Sequence, residues 1–197
     1  LIYPLSAANY WRPSGTNPFG LPDGEYVFGV GVDLGFSVNS TAFCLGAVRR
    51  GTGQIYLLRS YTRSRLIPTA LAAHVQALRE EVRIETKAWG GKHARCIVDE
   101  GALGKGYAAQ MREMGIGCEP AEKSEKRTYQ EFVRGLVLCA TPPEEDGTGG
   151  SGLLLDFSQC SGLVDECKRL QFDPETGKED ERYVRHEADA MLYLCRA

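Results

Sequence analysis

Three aspartates in this 197-residue chain stand at positions suited to a hydrolytic metal site. Asp33 ends the apolar, β-branched run Tyr26-Val27-Phe28-Gly29-Val30-Gly31-Val32, with Gly35 close behind it. Asp99 ends a second such run, Ala94-Arg95-Cys96-Ile97-Val98, and Gly101, Gly104 and Gly106 follow. Asp189 lies in the closing segment HEADAMLYLC, residues 186–195. A carboxylate at the end of a buried strand is costly unless a cation or hydrogen bonds hold it there. Hard oxygen donors with no thiolate pair or histidine cluster beside them suit Mg²⁺ or Mn²⁺. Two such ions about 4 Å apart activate a water and stabilise the leaving oxygen of a phosphodiester in an in-line displacement. Each acid alone has a plainer reading: Asp33 and Asp99 as turn formers beside glycine, Asp189 as a charge on a helix surface. The order of elements in which all three occur favours the joint reading.

Those elements follow from periodicity. Residues 1–25, rich in Pro, Gly, Asn and Ser, show neither helical nor strand spacing and read as a linker or wrapping arm. Strands are expected over 26–33, 41–48 and 54–61, with a tight turn at 49–53, which makes an antiparallel meander. Pro68 opens a helix with Leu71, Val75, Leu78 and Val82 at helical spacing. A buried strand over 94–99, a helix over 107–114 stopped by Gly115, and a short strand over 116–119 come next. A helix is expected over 123–139, a flexible loop over 141–152, a strand over 153–157, a helix over 161–172, a turn at 173–177 and a last helix over 186–195. The fold class is α/β: a mixed sheet, the three-strand meander plus parallel strands, with helices on both faces of one domain spanning 26–197. If the strands ending in Asp33 and Asp99 are parallel neighbours, both carboxylates emerge at one sheet edge. A last helix packed across that edge would bring in Asp189.

Bulk composition sets wider bounds. Hydrophobic residues at 43% and charged residues at 25% are those of an ordinary globular protein. A net charge of −3 gives no overall basic field to advertise nucleic-acid binding, although an acidic metal site would itself lower the net charge. The seven cysteines are scattered without a CxxC pair. They read as small buried hydrophobes of a reduced, cytosolic protein rather than zinc ligands, Cys160 and Cys167 among them. No stretch approaches the roughly 18 apolar residues of a membrane span, and no signal-peptide pattern opens the chain. The first residue is Leu1 rather than Met, which is expected of a piece of something larger.

Four stretches carry a resemblance. GVDLG with the hairpin after it, IVDEGALGKGYAAQMREMGI, EPAEKSEKRTYQ and HEADAMLY together resemble the nuclease domain of viral (bacteriophage) large terminase subunits, within the RNase H-like superfamily. The resemblance spans about residues 26–195 of the sequence. It implies a two-metal-ion endonuclease that cuts concatemeric double-stranded viral DNA at the start and end of packaging. It implies Asp33, Asp99 and Asp189 as catalytic metal ligands for two Mg²⁺ or Mn²⁺ ions. Glu187 is the alternate for Asp189, but on a helix the two point about 200° apart. Lys123, Lys126 and Arg127 stand where the family carries cations for DNA, and Lys105 lies in the glycine-rich stretch after Asp99. The plainer reading of the first three is a solvated helix start, with Glu122 and Glu125 beside them. Implied partners are double-stranded DNA, an upstream ATPase domain outside this chain, the portal and the small terminase subunit. No membrane is implied, and the host cytoplasm is the expected place.

The run 101–106 is not a phosphate-binding P-loop, because no GK followed by Ser or Thr occurs in it. His74 and His93 read as a helix-face and a loop residue, and His186 as a support for the last helix. Tyr107, Tyr129 and Tyr193 read as core or rim aromatics. A Holliday-junction resolvase of the same superfamily, or a non-catalytic DNA clamp of the same fold, are the alternatives. A sugar-kinase or actin-like ATPase shares the opening Asp-x-Gly hairpin but needs a second phosphate loop and a longer chain.

Overall fold

The structure is a computed structural model that describes residues 1–14, 17–35, 40–101, 104–144 and 148–197. The expected hairpin turn at 36–39 lies outside the described residues, as do parts of the arm, the glycine run after Asp99 and the loop 141–152.

Among the described residues the strands are β1 (Tyr10–Trp11), β2 (Tyr26–Asp33), β3 (Ser40–Arg49), β4 (Ile55–Ser64), β5 (Ala94–Val98), β6 (Glu119–Pro120) and β7 (Leu153–Asp156). The helices are α1 (Pro68–Glu85), α2 (Gly104–Glu113), α3 (Lys126–Leu138), α4 (Ser161–Cys167) and α5 (His186–Arg196). The strands form one sheet in the order β1-β7-β4-β3-β2-β5-β6. The β2/β3/β4 meander is antiparallel, whereas β5 joins β2, and β7 joins β4, in parallel. This is the mixed sheet, an antiparallel meander extended by parallel strands, that the sequence pattern predicts.

Alternation along β2 assigns the two faces of the sheet. Tyr26, Phe28, Val30 and Val32 bury against α1 and α2, in one core with Leu71, Val75 and Met111. The opposite face packs α3, α4 and α5 over Ala42, Cys44, Leu57, Leu153 and Leu155. On that second face β2 presents Gly29 and Gly31, and β3 presents Gly46, so the sheet is locally without side chains. Helix α5 lies in the resulting trough. A Cβ at Gly31 would sit 2.1 Å from the Ala190 carbonyl oxygen, closer than any side chain tolerates.

The segment before β2 is anchored at single points, which is why it shows no period. Ile2 and Tyr3 are buried in the second core. Asn9 donates from Nδ2 to the Val137 and Leu153 carbonyl oxygens at 2.9 and 3.0 Å, and β1 extends the sheet beside β7. Other boundaries shift for local reasons. Helix α3 starts at Lys126 rather than 123, because Glu125 is left-handed at φ 51° and turns the chain first. Helix α4 ends at Cys167 rather than 172, and the following segment folds back through a bridge between Phe172 and Glu179. Strand β6 is Glu119–Pro120 rather than 116–119, while Ile116 is buried in the first core.

Candidate active site

The parallel register of β2 and β5 fixes two of the acids. Val32 pairs with Val98, and the Asp99 N–H donates to the Val32 carbonyl at 3.0 Å. Asp33 and Asp99 therefore leave their strands at the same level. Counting by twos from Gly31 and Ile97 puts both on the face that α5 covers. Helix α5 starts over this edge, and His186 Nδ1 lies 2.9 Å from Asp33 Oδ2. Asp189 follows three residues later, on the same side of the helix.

Each carboxylate holds a cationic or cation-forming partner. Asp99 Oδ1 meets Lys123 Nζ at 2.5 Å and accepts the Gly101 N–H at 2.7 Å. Asp189 Oδ1 meets Lys126 Nζ at 2.8 Å, and Arg185 Nε stands 3.5 Å from its other oxygen. Lys126 is shared with Glu179 at 3.1 Å, and Arg185 reaches Glu179 at 3.2 Å. Burial pushes the Asp189 carboxyl up from its ordinary value; Lys126 opposes that, and the charges of Asp33 and Glu179 add to it. The buried Tyr193 phenol is pushed up first by burial and then by Asp189, Asp33 and Asp99. The hydrogen bond to Asp33 raises His186 against the lowering effect of its burial.

As placed, no group of three His, Cys, Asp or Glu among the described residues is gathered tightly enough to hold a metal ion. The chemistry of the donors nevertheless fits a hard divalent cation: carboxylate oxygens and one imidazole, with no thiolate. Asp33 is 8% exposed, and each of these three carboxylates has a nitrogen partner, Lys123 on Asp99, Lys126 on Asp189 and His186 on Asp33. Ligation would substitute for the Lys123 and Lys126 ammonium groups, which sit on flexible stems at the rim.

Glu187 points elsewhere. It is buried, Ser60 Oγ hydrogen-bonds to its carboxylate, and Gly162 at the start of α4 lies directly against it. Lys105 is exposed in the first turn of α2, beside Gly104, whose missing side chain lets it pack on the Asp99 carbonyl. Among the described residues Lys105 has no ion-pair partner. Arg127 is engaged away from the acids. Its guanidinium lies 3.4 Å over the Phe172 ring, donates to the Gly177 carbonyl at 2.9 Å and pairs with Glu131. His186, read from the sequence as a support for the last helix, contacts Asp33, while Arg185 and Glu179 beside Asp189 and Lys126 were not singled out by sequence reasoning. The i,i+3 spacing of His186 and Asp189 is the signal that could have found the His186 contact; nothing local marks Glu179.

No protein-family model matches the chain, and no curated protein matches it by sequence. Solved structures do match in fold. The nuclease domain of the bacteriophage P22 large terminase aligns with a TM-score of 0.68 over 98% of this chain and 89% of that one, at 12% identity. The large terminase nuclease domain of bacteriophage SPP1, a crystal structure with bound Mn, aligns at 0.58 over 86% and 85%, at 16% identity. A large terminase from a thermophilic bacteriophage aligns at 0.69 over 98% of this chain, at 18% identity. The chain spans 43% of the length of that thermophilic phage protein. At these identities the likeness is one of fold: the chain has the RNase H-like fold of bacteriophage large-terminase nuclease domains.

Proposed function

We propose that the chain is the metal-dependent endonuclease domain of a phage DNA-packaging large terminase, cutting concatemeric double-stranded DNA. What supports this reading is that Asp33 and Asp99 leave paired strands at one level, and that α5, which carries Asp189, starts over that edge through the His186–Asp33 contact, within this fold. Asp33, Asp99 and Asp189 would hold two Mg²⁺ or Mn²⁺ ions, which supply an activated water and stabilise the leaving oxygen of a phosphodiester. The bound Mn of the SPP1 domain supports the choice of ion. Within the chain, Asp33 and Asp99 are fixed by the ends of paired strands, and His186 orients Asp33 through Nδ1. Lys123 and Lys126, released from the carboxylates, would meet phosphate oxygens, and the exposed Lys105 follows Gly104, which packs on the Asp99 carbonyl. The partners proposed are double-stranded DNA, an ATPase domain of the same polypeptide, the portal and the small terminase subunit, in the host cytoplasm. Among the described residues no helix is long and apolar enough to cross a membrane.

Plasmid incubated with the chain and Mg²⁺ or Mn²⁺ should be nicked and then linearised, and a chelator should stop it. Cutting that persists in chelator would overturn the mechanism.

The cations separate into two groups by their contacts. Lys105→Ala is expected to weaken duplex binding and flatten the dependence of log affinity on log salt by about 0.9, the loss of one phosphate contact. Arg127→Ala is expected to leave that slope unchanged and lower the melting temperature instead, because its guanidinium fastens the 172–180 turn to α3. Fluorescence anisotropy over a salt series reads both. A parental slope in Lys105→Ala would make that lysine a solvated charge only.

A further inference from the structure

The start of α5 carries His186 and Asp189, yet its own N-cap, Arg185, makes no side-chain cap. The first N–H groups of a helix have no partner within it and must find one elsewhere. Here the partner comes from α4. Glu166 Oε2 accepts the Ala188 N–H at 2.9 Å, and the Glu187 N–H also acts on that carboxylate. Helix α4 likewise lacks a side-chain cap of its own at Cys160. The Glu187 carboxylate, sent back from α5, covers its first turn, lying against Gly162 and under the influence of the Leu163 N–H. Each helix therefore caps the other with one glutamate, and both glutamates are buried, at 7% and 5% exposure. Burial pushes both carboxyls up. The Ala188 and Glu187 amides pull Glu166 back down, and Ser60 and the Leu163 amide do the same for Glu187. A negative group at a helix N-terminus also complements the helix dipole.

The placement of this exchange gives it a role beyond holding two helices together. On its sheet side α5 has no slack, because the Ala190 carbonyl occupies the space a Gly31 side chain would need. On its α4 side, Glu166 grips the turn between His186 and Asp189. We infer that Glu166 is a positioning residue for the metal site: by capping α5 it sets where Asp189 and His186 stand relative to Asp33 and Asp99. This rests on the metal reading above. Such sites depend on ligand placement to within about 0.5 Å, so a frayed first turn would be felt at the ligands.

The test is a calorimetric Mn²⁺ titration of the parent chain and of Glu166→Ala, Glu166→Gln and Glu166→Asp, with amide hydrogen exchange of α5 measured on each. Glutamine keeps an acceptor at the same reach, whereas aspartate keeps the charge but withdraws it from the amides. The Mn²⁺ Kd is expected to rise about tenfold in Glu166→Ala, to stay within about twofold of the parent in Glu166→Gln, and to fall between in Glu166→Asp. Exchange at Glu187 and Ala188 should quicken in the Ala and Asp variants only. If Glu166→Ala does not fold, the contrast between Asp and Gln decides the matter. Faster exchange with an unchanged Kd would reduce Glu166 to a plain helix cap and overturn the inference. Equal loss of affinity in the Gln variant would do so too, by showing that charge and not capping is at work. A parent chain that takes up no Mn²⁺ would sink the metal reading and this inference with it, whereas a binding parent with unaffected variants sinks only the latter.

Discussion

Gly31→Ala is expected to unseat α5 and empty the site of its third acid in one step. The added methyl would lie 2.1 Å from the Ala190 carbonyl oxygen and 3.1 Å from Leu194 Cβ. Neither can rotate away, since one is backbone and the other is fixed to it. Either α5 lifts or β2 sinks, and β2 is held by register on both sides. Overpacking against backbone on this scale costs roughly 3 kcal/mol, or a fall in Tm of roughly 10 °C for a chain of this length. Mn²⁺ binding should be lost even at temperatures where the variant remains folded, because Asp189 and His186 move with the helix. Gly29→Ala is the control: its methyl would meet Leu194 Cδ1 at 2.6 Å, the far end of a side chain that can swing aside. Calorimetric melting and Mn²⁺ titration of the two variants read both effects. A Gly31→Ala protein that melts and binds like its parent would mean that α5 does not sit against β2 as described.

That contact also marks the boundary of what the sequence discloses. The strands ending in Asp33 and Asp99 were legible because a buried strand writes itself as a short apolar run, and a lone acid at its end stands out. Their shared edge hung on the condition that the two strands are parallel neighbours, which β2 and β5 are. The glycines of β2 and β3 were not legible as a helix seat. Their meaning lies in α5, at the far end of the chain, and glycine in a strand has several ordinary explanations. The arm before β2 gave no period for a similar reason: Ile2, Tyr3 and Asn9 act as isolated anchors and not as a repeating face. Arg127 read as one of a row of cations, and only the fold shows it lying over Phe172, a residue of a turn with no local link to α3. Glu166 lay within an expected helix, and its partner amides belong to another element altogether.

The turn of α5 from His186 to Asp189 now yields the sharper experiment on the acids themselves. Asp189→Asn keeps the size of the side chain and an oxygen that can accept from Lys126. Burial already disfavours the charged form of Asp189, so a neutral amide there should leave Tm unchanged or slightly higher. Lys126 also keeps Glu179 as its counter-charge. The proposed metal site should be affected in the opposite sense, because hard cations depend on ligand charge. Residues that only orient a ligand cost roughly 10–100-fold in affinity or activity when changed, so loss of a ligand should cost at least about 100-fold in cleavage. Asp33→Asn and Asp99→Asn should fall to the same floor rather than to graded levels, since groups that work as one unit are not additive. Glu187→Gln is the contrast within the same helical turn. Its carboxamide still faces Ser60 and the start of α4 and stands away from the other acids, so cleavage should change only a few fold. Rates of plasmid cutting for the four variants, set beside their melting temperatures, test the assignment. Normal cutting by Asp189→Asn together with a dead but folded Glu187→Gln would move the ligand to Glu187 and leave Asp189 a buried counter-ion of Lys126.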